Sequence, residues 1–355
     1  MSLEPGKQRI LQTAGVAYEN LRYRMNELET NEAQCRYISS HGLKKSCNYW
    51  HKDGRPPEIV ELNRLAATDH SNTLSIYFKT NGLRHFADQT LGRMENRFVL
   101  VTGGCDLEVG DRDTDSELRA RILGSPLLDA WFTQNCNDQH PKLLPMPIGM
   151  DYHTLTFQFR HRPWGYFANP LVQEQILDDA RTTSPGLEHK KIAGYSNWHH
   201  VITRGDRHQC INGVQLDAAF LEQPDTNRAE SWKNNAEYLF TISPLGNGWD
   251  CHRTWEALLL GSVPIVPRSS ICSLFENLPV CIVDDWREVT MDYLKAKREW
   301  VLESEFDFAP LYLGWWKARF KEEAELPRRM QRFQDFINTA QQPFASLQKQ
   351  TASAV

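Results

Sequence analysis

The sequence predicts an α/β protein in which two Rossmann-like domains face a cleft and a helical tail follows them. Three observations carry this. A length of 355 residues exceeds what one ordinary core holds and suits two domains of roughly 150 residues each. Runs of β-branched and aromatic residues alternate with spacers long enough for crossover helices. The rhythm breaks at a polar, Pro- and Gly-containing stretch between His161 and Lys190 and then restarts. The expected division is 1–185 for an amino-terminal Rossmann-like domain, 186–300 for a second Rossmann-like domain, and 301–355 for a helical tail packing back across both.

The elements follow in order. Residues 7–28 carry Ile10, Leu11, Val16, Ala17, Leu21 and Met25 at helical spacing, which predicts an amphipathic helix. The segment 41–57, with Trp50 and His51, reads as a polar loop. Thr73–Thr80 and Arg97–Gly104 are strand-like runs about 17 residues apart, and Leu128–Cys136 and Lys142–Asp151 continue the alternation, the pattern of a doubly wound sheet. Beyond the break, Lys190–Ser196, Tyr238–Pro244, Ser262–Pro267 and Leu278–Asp285 read as four buried strands. From Val289 to Ala345 the text is helical in character, and 341–355 reads as a fraying end.

Composition narrows the function classes. Hydrophobic residues are 41% and charged residues 24% of the chain, an ordinary globular balance. With 40 Lys+Arg against 45 Asp+Glu the net charge is −5, which disfavours a polyanionic partner over the whole surface and makes nucleic acid a poor expectation. No run approaches the roughly 20 apolar residues of a membrane helix. The start lacks the apolar core of a signal peptide, so a cytoplasmic protein with eight reduced cysteines is expected. The cysteines form no CxxC pair, against a zinc ribbon or redox motif.

The most informative stretch is Ser243–Val266, "SPLGNGWDCHRTWEALLLGSVPIV". It reads as a strand end, a turn whose Gly246 and Gly248 are free to take positive φ, a helix capped by Asp250 and ended by Gly261, and another strand. A helix N-terminus at the carboxyl end of a strand suits an anion. Arg253 in the first turn opposes the helix dipole unless something negative lies near. His252, Arg253 and Glu256 lie within a turn of one another, so Arg253 is expected to fork phosphate oxygens and Glu256 to accept from a ribose. An Arg–Glu pair on a helix surface is the plain alternative. No GKS/GKT or GxGxxG accompanies the loop.

The run Phe240–Trp286, with its glycine loop, Asp250, Arg253, Glu256, Gly261, Pro264 and closing aspartates, resembles the donor-binding segment of exostosin-like glycosyltransferases of GT-B architecture, and Trp131–His153 is similar to the segment before that family's linker. The resemblance implies two facing Rossmann-like domains, a sugar nucleotide held by the second, an acceptor held by the first, and chemistry in the cleft. It also implies a ribose contact at Glu256, a leaving diphosphate neutralised near Arg253, and no metal or other cofactor.

Transfer to a hydroxyl needs a proton acceptor if configuration inverts. Asp106, at the end of the "VTGGCD" strand, and Asp151 and His153, after "PIGM", are the candidates. Each has an ordinary alternative: a turn aspartate for the first, a hinge for the others. Asn197, Arg204 and Arg207 are candidate diphosphate contacts, with a solvated helix face as the alternative for both arginines. The neighbours His199 and His200 point apart and make no metal pair. Asp111, Asp113 and Asp115 invite the DxD reading of metal-dependent transferases, but they lie in an acidic loop without a presenting strand. Asp284 and Asp285 end a strand, where capping explains one of them.

The expectation is therefore a metal-independent hexosyl- or pentosyltransferase using a UDP- or GDP-linked sugar and a carbohydrate acceptor. A noncatalytic nucleotide- or sugar-binding protein and an NAD(P)-dependent oxidoreductase are the competing readings. Under the first, Glu256→Ala weakens donor binding and leaves the melting temperature nearly unchanged.

Overall fold

The structure is a computed structural model that describes residues 31–68, 73–157, 160–161, 163–198, 203–322 and 330–339. The expected helix over 7–28, the His199–His200 pair and the end 341–355 lie outside the described residues.

Four parallel strands, β1 (Thr73–Lys79), β2 (Arg97–Gly103), β3 (Leu128–Thr133) and β4 (Leu143–Pro145), form a first sheet in sequence order. Helices α1 (Ser40–Lys45) and α2 (Ile59–Thr68) precede it, and α3 (Leu83–Gln89) and α4 (Ser116–Leu123) make its crossovers. Both faces are covered, and the period of two is visible in the packing. Leu74, Ile76, Phe78, Phe98, Leu100 and Trp131 enter one core. Tyr77, Val99, Val101, Ala130 and Phe132, the intervening residues, enter the other.

After α5 (His153–Phe157) and α6 (Pro170–Thr182), the second sheet is built from β5 (Lys191–Ser196), β6 (Ala219–Leu221), β7 (Tyr238–Ile242), β8 (Val263–Pro267) and β9 (Cys281–Val283). All pairings are parallel and the spatial order is β6-β5-β7-β8-β9. Helices α7 (Arg207–Gly213), α8 (Arg228–Ala236) and α9 (His252–Leu259) join successive strands, and α10 (Met291–Glu303), α11 (Leu313–Glu322) and α12 (Phe333–Asn338) follow. Helix α11 lies on the first sheet, with Phe132 5.2 Å from Phe320 and 6.2 Å from Trp316 between ring centres. Phe336 of α12 stacks on Phe308 at 4.1 Å.

Several expectations change. Residues 41–45 are helical rather than loop, because Ser39 caps α1 by accepting from the Gly42 amide and Leu43 is fully buried. The strand expected over 142–151 shrinks to Leu143–Pro145; Pro145 and Pro147 lack ladder donors and Gly149 turns at φ +67°. The edge strand β6 is too short to read from periodicity. Gly261 does adopt φ +74° just past the end of α9, the left-handed position that terminates helices. Gly246 and Gly248 are not among the positive-φ glycines. At Gly248 the reason for glycine is close approach: a Cβ there would sit 2.7 Å from Asn135 Nδ2.

Candidate active site

Strand β5 is followed on one side by β6 and on the other by β7, so the connections leave in opposite directions and open a crevice at the carboxyl ends of β5 and β7. Open α/β sheets bind ligands at such a switch point. The segments that leave these strand ends are Asn197 and Trp198 after β5 and the glycine loop 244–248 after β7, which lead to the first turns of α7 and α9.

Arg207 spans this crevice. It donates from Nη1 to Trp198 O at 3.1 Å and from Nε to Leu245 O at 3.4 Å. Arg253 donates to the neighbouring carbonyl, Pro244 O, and to Cys251 Sγ at 3.3 Å. Its Nε is buried and makes no hydrogen bond. Burial first, then the like charges of Arg253 and Arg204, push the Arg207 guanidinium down to about 10. Neither Arg204 nor Arg253 has a carboxylate partner among the described residues. Asp206, the acid beside Arg207, accepts from Leu245 N at 2.7 Å and Trp286 Nε1 at 2.6 Å. Three cations at one crevice, one with an orphaned buried donor, form a site shaped for an anion.

Asp250 and Glu256 serve the scaffold. The carboxylate of Asp250 accepts from Ile148 N at 2.6 Å, Cys251 N at 2.8 Å and Trp255 Nε1 at 2.8 Å. It ties the start of α9 to the loop after β4. The helix cap itself is Cys251, without a side-chain capping bond, correcting the assignment to Asp250. Glu256 faces protein: Arg228 Nη2 donates to Oε1 at 2.5 Å and Trp232 Nε1 to Oε2 at 3.0 Å. The Arg228 and Glu256 side chains are 4% and 11% exposed. Both oxygens expected to meet a ribose are therefore engaged by α8, because Glu256 lies on the buried side of α9 while Arg253 follows the loop.

The glycine loop reaches the first sheet directly. Asn247 donates to Asp106 Oδ2 at 3.0 Å, Trp249 to Glu108 Oε2 at 2.6 Å, and Asp250 N to Asn135 Oδ1 at 3.0 Å. Asp106 is exposed at the end of β2. Asn135 holds φ +49°, a left-handed position that asparagine tolerates and that aims its amide at the loop.

Asp151, His153 and His252 form a second cluster. Asp151 is 5% exposed and accepts from Thr154 N at 2.9 Å and Thr154 Oγ1 at 2.8 Å. Burial alone would raise its carboxyl, but His153, His252, Arg228 and the Thr154 amide hold it well below the usual carboxylate range. His153 Nδ1 lies 3.1 Å from Asp151 Oδ1 but is not aligned for a hydrogen bond. His252 Nδ1 lies 2.7 Å from Gly149 O. A carbonyl only accepts, so that nitrogen carries a proton, and it is Nε2 that bears the lone pair of the neutral tautomer. Sequence reasoning named Asp151 and His153 for catalysis and His252 for the donor. Their convergence was hidden, since about a hundred residues separate them.

The remaining acids are structural. Asp111 pairs with Arg119 at 2.5 Å, Asp113 accepts from Glu108 N at 2.9 Å, and Asp115 caps α4 through Leu118 N at 2.7 Å. Asp284 pairs with Arg268, and Asp285 caps the turn at Trp286 and pairs with Arg287. All eight cysteines are free thiols. No helix among the described residues is long and apolar enough to cross a membrane.

No protein-family model matches the chain, and no curated protein does. Among solved structures, the spinosyn rhamnosyltransferase SpnG complexed with thymidine diphosphate aligns over 93% of this chain and 83% of its own, at 15% identity and a TM-score of 0.30. So loose a superposition leaves the functional reading to the site itself.

Proposed function

We propose that the protein is an exostosin-like glycosyltransferase of GT-B architecture that moves a hexosyl or pentosyl group from a UDP- or GDP-linked sugar to a hydroxyl of a carbohydrate acceptor. The observation that carries this reading is the gathering of Arg204, Arg207 and Arg253 at the switch point of the second sheet, with the Arg253 Nε buried and unpartnered. A diphosphate there accepts from guanidinium groups and takes up the charge that develops as the anomeric C–O bond breaks. The arginines supply the positive charge that a metal supplies in other transferases, so the diphosphate itself needs none. Gly246 and Gly248 belong to the loop that carries Pro244 and Leu245, the carbonyls to which Arg253 and Arg207 donate, and Asn197 follows β5 at the same sheet edge.

The acceptor oxygen attacks the anomeric carbon as that bond breaks, and its proton passes to a group on the first-sheet side. Asp106 suits that role, being exposed and meeting the glycine loop through Asn247. Glu256 and Asp250 hold the frame beneath the pocket, and a ribose contact belongs to other groups.

The test is thermal stabilisation by UDP, GDP and NAD in EDTA. Stabilisation by UDP or GDP supports a nucleotide-sugar donor and selects its base. Stabilisation by NAD alone transfers the pocket to a dinucleotide and refutes the proposal.

A further inference from the structure

We propose that Asp151, His153 and His252 bind one divalent transition-metal ion, which joins the loop following the first sheet to the first turn of α9. This inference stands independently of the glycosyl-transfer reading.

The three side chains bring one ligand atom each to within 4.8 Å of one another. Ligands about 2.1 Å from a shared ion lie roughly 3 to 3.5 Å apart, so small side-chain rotations close the set. Two observations point to a cation rather than to an ordinary polar cluster. His153 Nδ1 is buried, 3.1 Å from Asp151 Oδ1, yet makes no hydrogen bond; a buried lone pair without a donor is costly unless a ligand meets it. His252 donates its Nδ1 proton to Gly149 O at 2.7 Å, the arrangement by which a backbone carbonyl orients a metal-binding imidazole and turns its other nitrogen to the ion.

The surroundings hold the set in place. Thr154 brackets both carboxylate oxygens of Asp151 and leaves each a further lone pair. His41 stacks on the His153 ring at 5.3 Å. Gly149 sits at φ +67°, where a Cβ would come within 2.6 Å of Ile38 O, so the carbonyl that orients His252 belongs to a pinned turn. The cation facing the cluster, Arg228, is already paired with Glu256 at 2.5 Å. Two imidazoles and one carboxylate favour a first-row transition ion over Mg²⁺ or Ca²⁺, and three protein ligands leave a position open to water.

The experiment uses the full chain, stripped with EDTA, dialysed and titrated with Zn²⁺ against a chromophoric chelator and with Co²⁺ by visible absorption. One ion per chain is expected, with a Co²⁺ ligand-field band. His153→Ala and His252→Ala should each weaken affinity at least tenfold while melting in EDTA within a few degrees of wild type. Arg253→Ala should keep the ion whether or not it binds nucleotide, which separates this proposal from the preceding one. Absence of Zn²⁺ binding at micromolar metal, or unchanged binding in both histidine variants, overturns it.

Discussion

Replacing Glu256 with alanine separates two roles for one carboxylate. If Glu256 held a ribose, the change would weaken nucleotide binding and leave the fold alone. Instead both oxygens are engaged by α8, at 2.5 Å from Arg228 Nη2 and 3.0 Å from Trp232 Nε1. The Arg228 side chain is 4% exposed and stacks between Trp164 and Trp232 at 4.6 and 4.5 Å. Its Nε and Nη1 are already without hydrogen bonds. Glu256→Ala leaves that guanidinium buried without its counter-charge, which costs about 3–5 kcal/mol. At about 2.1 cal/mol/K of unfolding entropy per residue, a chain of this length that unfolds as one unit loses roughly 4–7 °C. Replacing both partners, Arg228→Met with Glu256→Leu, should recover much of the loss, because no charge then remains buried. Scanning calorimetry of wild type and both variants, with and without UDP and GDP, reads stability and binding together. A Glu256→Ala protein that melts like wild type but no longer responds to nucleotide refutes the structural assignment and restores the ribose contact.

Other expectations are more local. Lys190 donates to Ala236 O within the core, and burial pushes its ammonium down to about 7. Between about pH 7 and 10.5 the unfolded chain then binds more protons than the folded one, so this group makes stability rise with pH across that window, by at most about 1.4 kcal/mol per unit. Urea unfolding from pH 7 to 10 should show that slope in wild type and lose it in Lys190→Met; parallel curves contradict the burial assignment. Asp113→Ala should leave the response to UDP or GDP in EDTA as it is in wild type, since Asp113 only braces Arg112 and the Glu108 amide. A lost or newly metal-dependent nucleotide response would return that loop to the active site. Gly248→Ala, which drives a Cβ to within 2.7 Å of Asn135 Nδ2, should displace the amide that accepts from Asp250 N and cost about 1–3 kcal/mol. An unchanged urea midpoint would count against the close approach.

The strands were legible wherever β-branched and aromatic residues ran long enough to mark a fully buried sheet, as in "TLSIYFK" and "RFVLVTG", and Gly261 announced the end of its helix. Strand β6 was not, because three residues carry no periodicity and the strand lies at an exposed edge. The cation site was half legible. Arg253 stood out because it opposes the dipole of its own helix, and Arg204 and Arg207 because they follow the first strand of the second half. The solvated-face alternative for Arg207 gives way only to the β6-β5-β7 order that puts the ends of β5 and β7 side by side. Glu256 misled for a physical reason: spacing along one helix shows which residues share a face, and the partner that claims a side chain lies on another helix, here 28 residues earlier. The same separation hid the Asp151–His153–His252 cluster.

The proposed function requires Arg253 to meet the diphosphate of a nucleotide at the switch point. Its most direct test is the thermal shift given by UDP or GDP in EDTA, measured for wild type and Arg253→Ala at one ligand concentration near 100 times the wild-type Kd. Wild type should gain about 2.7 kcal/mol, or roughly 4 °C at this chain length. Loss of a charge-assisted contact worth about 1.5–3 kcal/mol should cut the shift below about 2 °C with little change in the unliganded melting temperature. Equal shifts in the two proteins, or no response of wild type to either nucleotide, would contradict the account.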